Sequence, residues 1–475
     1  SKLRPRNKVL AENLQKKWSG LRRFPDEVFS IIFELYVEDS ENPWTLMHVC
    51  SQWRTAALHT RRIWSKIMLT HAPHVDGSSR RHLGSEVCHT ETLLRNALAR
   101  AAGGPLDIRL FVGHHNGLLS RPFYSDISCK LIDPLRADKA YLRIRRLEAT
   151  LTDFKWLRHL TFDGFEFPSL ESAVLHTVPC DLNERVLKTA SRLRSLRLNQ
   201  NVLCPVDWDL SKLKYLTDFR LDMGWMSFGD GGFKTISSIP NLVNLYLSAA
   251  RINRCKTLSI PTLKNLTLDC SHIIDDLELP QLQNLIMHNS SISATAGHPL
   301  ALPSLTMLGI NSCGMGDHFY IVPALQTLSI SQDFGGGLRQ FEQFMENVIK
   351  PEYISPRILR LHGINVASKL LVQFLAKLPQ LEELEIGGEI QLSKPFFEAL
   401  SGCRFHSTGT SEHEEPLCTQ LKTLRISFNG ISNETTYFDM LKWSHVAVRA
   451  RAKGEYPFEQ VFIKDRYSNR WNTTS

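Results

Sequence analysis

From position 157 onward, apolar residues recur in the frame Leu-x-x-Leu-x-Leu. Copies begin at Leu157, Leu193, Leu216, Leu242, Leu263, Leu282, Leu305, Leu325, Leu381 and Leu421, with a weaker copy at Leu359-Leu361. Alternation over so short a span predicts a strand with one buried face. Five residues beyond the frame another apolar residue stands in nine of the eleven units, Phe167, Ile273 and Ile292 among them; the units at 325 and 381 lack it. A slot three beyond the frame, where a side chain can bond backbone across turns, holds Asn201, Cys313 and Asn429. Ser271 and Ser290 are weaker fits there, and Gly224, Ala250 and Ile364 do not fit. One such unit cannot bury its own apolar face, so neighbours must stack into a continuous core. The pattern therefore predicts an irregular α/β solenoid: a curved parallel sheet with helices and loops on the convex side.

Proline stands two residues before the frame at Pro240, Pro261, Pro280, Pro303, Pro323 and Pro379, which sets the strand entry. Helical spacing marks the return segments 341–349 and 370–378. A helix over 93–102 ending at Gly103-Gly104, then a strand from Leu106 to Leu110, reads as a diverged first unit. Tyr437–Leu441 followed by Phe458–Ile463 repeats helix-then-strand and closes the array. The polar stretch Gly402–Pro416 reads as a loop.

The first part of the chain has a different pattern. Pro25 suits a helix start, and Asp26 and Glu27 favour its positive end. Val28, Ile31, Ile32 and Leu35 follow one helical face, and Phe29 and Phe33 form a second apolar line beside it. So wide an apolar surface on a short helix predicts that part of it meets a partner. The polar run Glu38–Pro43 is a break. A second helical stretch carries Leu46, Val49, Cys50, Trp53, Ala56 and Ala57.

These residues resemble the F-box family, in the style of its fungal members. The pattern is carried by Phe24-Pro25-Asp26-Glu27-Val28, Ile32-Phe33, Leu46-x-x-Val49-Cys50-x-x-Trp53-Arg54-x-Ala56 and Ile63-Trp64. Phe24 stands where the family usually has Leu. The resemblance implies a three-helix F-box ahead of the leucine-rich repeats. Together with the basic start of the chain and the repeat frame, it divides the sequence into a basic leader at 1–20, the F-box at 21–68, a linker at 69–90 and the array over 91–475. It further implies docking on a Skp-type adaptor, and through it a cullin, by Phe24, Pro25, Val28, Ile31, Ile32, Leu46, Val49, Trp53 and Trp64. The repeats would then hold an unidentified target protein for ubiquitination. Residues between and just after the frame leucines, Arg197, Arg220, Tyr246, His288, Asn311, Arg360, His362 and Arg425, are the expected target-binding set.

Charge alters this picture only at the start. Residues 1–23 hold eight Lys and Arg against Glu12 alone, which accounts for nearly all of the formal +8. Such an arm leaves a second reading open: a ligase-independent scaffold, or a nucleic-acid-associated protein, using the basic arm. With 43% apolar and 22% charged residues the chain has a globular composition, and no apolar run suits a membrane span. Ten cysteines without a CxxC pair, with Cys313 expected in a buried repeat slot and Cys50 on a buried helix face, suggest reduced thiols in the cytoplasm or nucleus. No P-loop, GxSxG or HExxH pattern is present, and Cys403, His406, His413 and Cys418 match no standard zinc spacing. Gly335-Gly336-Gly337 reads as a turn and His114-His115 as surface. Neither catalysis, nor a cofactor, nor a bound metal is expected.

Overall fold

The computed structural model describes residues 24–38, 43–71, 83–112, 133–151, 164–176, 180–199, 209–222, 227–228, 235–253, 258–274, 277–293, 300–311, 320–331, 355–363, 367–388, 392–403, 416–428, 434–454, 456–464 and 472–473. The basic leader, the frame at Leu157, the 341–349 segment, Gly335–Gly337, Cys313, His114-His115 and most of the 402–416 loop lie outside them. Residues 1–202 with 212–215 form one compact unit; residues 203–211 with 216–475 form another.

The first unit opens with helices α1 (Asp26–Glu38), α2 (Pro43–Leu46) and α3 (Ser51–His59), then a 3-10 turn at Arg61–Ser65. Pro25 begins α1 as expected: its carbonyl accepts from the Val28 and Phe29 N–H groups at 3.0 and 3.4 Å. The second helical stretch is divided. At Cys50 the backbone is extended, and its Sγ accepts from the Trp53 N–H at 3.4 Å, capping α3. Cys50 is therefore exposed, not on a buried helix face. Uninterrupted helical spacing from Leu46 to Ala57 hides this break.

Five parallel strands follow: β1 (Lys66–His71), β2 (Leu106–Val112), β3 (Ile144–Leu151), β4 (Ser172–His176) and β5 (Ser195–Asn199). Helix α4 (Leu83–Arg100) joins β1 to β2, and Gly103 turns the chain at φ +80. Residues 69–90, read as a linker, thus hold the end of β1 and the start of α4. Strands β3 and β4 also follow leucine-type frames, Ile144-x-x-Leu147-x-Ala149 and Leu170-x-x-Ala173-x-Leu175, with all six residues buried. Alanine in a leucine slot concealed them.

In the second unit ten parallel strands lie in register: Asp218–Asp222, Asn244–Ser248, Asn265–Asp269, Asn284–His288, Met307–Asn311, Thr327–Ser331, Ile358–His362, Glu383–Gly387, Thr423–Ser427 and Gln460–Lys464. The antiparallel strand Asn472–Thr473 follows. The frame leucines fill the second and fourth strand positions and are buried throughout. Each contributes roughly 1.5–3 kcal/mol of transfer free energy.

The return side varies with repeat length. Among the described residues between 227 and 293 it includes a ladder of short parallel strands, Ser227–Phe228, Arg251–Asn253, His272–Ile274 and Ser291–Ser293. The main strands there begin at 244, 265, 284 and 307, spacings of 21, 19 and 23 residues that leave no room for several helical turns. Where repeats are longer the return is helical, at Ser368–Leu375, Lys394–Ser401 and Glu434–Ala452.

Serine does the cross-turn bonding expected of asparagine. The Ala250 N–H donates to Ser271 Oγ, and the Ser271 N–H to Ser290 Oγ, both at 3.0 Å. Both serines are buried. Near the end of the array, buried Arg451 donates to the carbonyls of Tyr456, Leu400, Leu417, Cys418 and Leu421. One side chain thereby ties the long C-terminal helix to the two segments before it.

Candidate functional site

The inward and outward sides of α1 are sharply divided. Phe29, Phe33 and Val37, spaced by four, are buried. The half-buried Trp53 of α3 meets Phe29 and Phe33 with ring centroids 6.0 and 5.1 Å apart. Trp64 is buried, its Nε1–H donating to the Ala57 carbonyl at 2.8 Å. These contacts give the helices a small core of their own.

Outside that core, apolar side chains face solvent. Ile31 is 61% exposed, Ile32 43% and Leu35 58%. Their i, i+1, i+4 spacing puts them on one side of α1. Phe24, Val49 and Leu58 are also exposed. The expected adaptor-binding residues thus fall into two groups. Phe24, Pro25, Ile31, Ile32 and Val49 are at the surface, and Val28 is half-buried. Leu46 and Trp64 are interior, and the half-buried Trp53 packs on the phenylalanines, so these three build the small core of the helices. Leu35, on the same helical face by its spacing, and Leu58, which no sequence signal marks, belong to the exposed set although neither is in the expected adaptor-binding set.

The expected target-binding residues lie at the third or fifth strand position, on the sheet face opposite the leucine core, and all are half-buried. Arg197 is on β5 of the first unit. In the second unit the structure gathers five of the other seven into two groups. Arg220 stacks on Tyr246, its guanidinium carbon 3.8 Å from the ring centre, and the Tyr246 hydroxyl donates to Asp269 at 2.9 Å. Burial, and then the Asp269 carboxylate, pushes the Tyr246 phenol upward from its ordinary value. The other group surrounds two carboxylates. Arg360 reaches Glu383 at 3.7 Å and Glu385 at 3.5 Å, His362 lies 3.5 Å from Glu385, and Arg425 pairs with Glu383 and lies over Phe462. Asp269, Glu383, Glu385 and Phe462 are the partners that sequence reasoning missed. Between the two groups, His288 and Asn311 are register neighbours, and the third-position residues Thr267, Ile286, Gly309 and Ser329 carry no charge.

Among the described residues no helix is long and apolar enough to cross a membrane, and no three His, Cys, Asp or Glu side chains cluster to hold a metal ion.

No family model matches the chain, and no curated protein matches it. Among solved structures it is similar to a leucine-rich-repeat protein of Leptospira interrogans, at 14% identity and a TM-score of 0.24, covering 65% of this chain and 96% of that one. The repeat architecture of this chain rests on its own strand ladder and buried leucine frame.

Proposed function

We propose that this chain is the target-recognition subunit of a Skp–cullin–F-box ubiquitin ligase. Its N-terminal helices dock on the Skp-type adaptor, and its repeats hold a protein target. The observation that carries this reading is the exposed line Ile31, Ile32 and Leu35 on a helix whose other side is filled by Phe29, Phe33 and Val37. Isolated exposed leucines need no explanation, but three large apolar residues together on one helix favour a partner helix or groove. The ordered residues Pro25, Trp53-Arg54 and Trp64 support the F-box resemblance over a generic cap. The chain's part would be proximity: it raises the effective concentration of the target beside the ligase and performs no chemistry itself.

The test is expression of the full chain with a Skp-type adaptor and a cullin. The three are expected to co-purify, and Ile31→Asp with Ile32→Asp is expected to abolish this while the chain stays folded. A wild-type chain that elutes without the adaptor would contradict the proposal.

A further inference from the structure

We propose a second binding site in the first unit, a pocket of about 600 Å³ that takes an apolar side chain of a partner protein lying next to a carboxylate. Its volume falls within the roughly 300–1,000 Å³ of ordinary ligand pockets. Its floor is the outer face of strands β1 to β4. Register pairing sets two columns across them: Lys66, Asp107, Arg146 and Ser172, and beside it Met68, Arg109, Glu148 and Val174. The intervening core residues Ile67, Ile108 and Leu147 also line it, as do Leu93, Leu94 and Ala97 of helix α4 and the tryptophans Trp44 and Trp64.

Two features define the occupant. The first is apolar surface left open: Met68 is 50% and Leu93 42% exposed, and both line the pocket with Trp44. The second is a cation without an ion-pair partner among the described residues, in a lining that holds three cations and three carboxylates. Lys66 lies 3.7 Å from Glu38, Arg109 3.2 Å from Glu148, and Asp107 3.3 Å from Arg145. Arg146 lines the same pocket and has no ion-pair or hydrogen-bond partner among the described residues. The carboxylates are thus already engaged, and one guanidinium remains for an incoming anion. A guanidinium favours a carboxylate with paired N–H donors, and the apolar wall favours Leu, Phe or Trp beside it. The occupant is therefore a peptide segment with a large apolar residue adjacent to Asp or Glu. Calling that segment part of a ubiquitination target rests on the function proposed above; the pocket's chemistry does not.

The probe is an array of synthetic decapeptides in which Leu, Phe or Trp is followed by Glu, Gln or Lys, incubated with the full chain without adaptor. Glu peptides are expected to bind about tenfold more strongly than Gln peptides. Arg146→Gln is expected to erase that difference and Arg146→Glu to shift preference to Lys. Because Arg146 is exposed, both variants are expected to keep the wild-type melting temperature. Met68→Gln is expected to weaken all apolar peptides alike. Absence of binding, equal binding of Glu and Gln peptides, or a Glu preference that survives Arg146→Gln would overturn the proposal. Since no adaptor is present, failure here is separable from failure of adaptor docking.

Discussion

The guanidinium carbon of Arg100 lies 4.5 Å from the centre of the Trp64 ring. It also lies 4.8 Å from that of Trp44, and the two indoles meet edge to face at 4.8 Å. Arg100 is the last residue of α4, so this stack fastens the N-terminal helices to the first strands of the array. Burial lowers the Arg100 proton affinity, the cost of placing a cation there. Arg100→Ala is expected to destabilise the first unit by about 1–2 kcal/mol, read as a lower urea midpoint of tryptophan fluorescence. Arg100→Lys is expected to recover only part, because an ammonium cannot stack on both rings.

Arg451 is a cation held by carbonyl oxygens, and no carboxylate pairs with it among the described residues. Burial lowers its pKa to about 10. Arg451→Met would leave several interior carbonyls unsatisfied and is expected to cost about 3–5 kcal/mol. Arg451→Lys offers at most three donors in a different geometry and is expected to remain clearly destabilised. Hydrogen exchange should localise the loss to Thr423–Ser427 and Gln460–Lys464 before the rest of the second unit.

Ser271 is the centre of the serine ladder. Ser271→Ala would leave the buried Ala250 N–H without its acceptor and is expected to cost about 1–3 kcal/mol by denaturant unfolding. The same change at exposed Ser51 is expected to alter stability by less than about 0.5 kcal/mol.

Burial pushes the Cys418 thiol up to about 12. Its folded pKa exceeds the unfolded value of roughly 8.5, so the folded state holds this proton more tightly. Its contribution to stability is constant below the unfolded value and is lost as pH rises toward the folded one. Cys418→Ala is expected to flatten the stability decline above about pH 9. Alkylation at pH 8 with peptide mapping should modify exposed Cys50 readily and leave Cys418 intact until the chain unfolds.

The repeat frame was legible because leucine spacing reports directly which strand positions are buried. Leu266 and Leu268 stand where alternation puts them. Legibility failed where volume fell, since Ala149 and Ala173 fill leucine slots in strands whose neighbours supply the bulk. It failed again where local conformation overrode periodicity, as at Cys50, whose capping role is set by an extended backbone. In the candidate site, apolar spacing identified α1 but could not say which of its two apolar lines turns inward. That choice depends on Trp53, which fills the space beside Phe29 and Phe33 and leaves Ile31 and Ile32 outside. The sheet-face arginines were visible as positions, but Glu383 and Glu385 reach them only through parallel register across strands 20 to 40 residues apart.

The most direct test of the central claim is a titration of the purified full chain with a purified Skp-type adaptor. Wild type is expected to bind with a measurable heat. Ile31→Asp with Ile32→Asp, exposed and therefore compatible with folding, is expected to weaken binding at least about thirtyfold at an unchanged melting temperature. Binding that is absent in the wild type, or equal in the folded variant, would contradict the docking role given to α1.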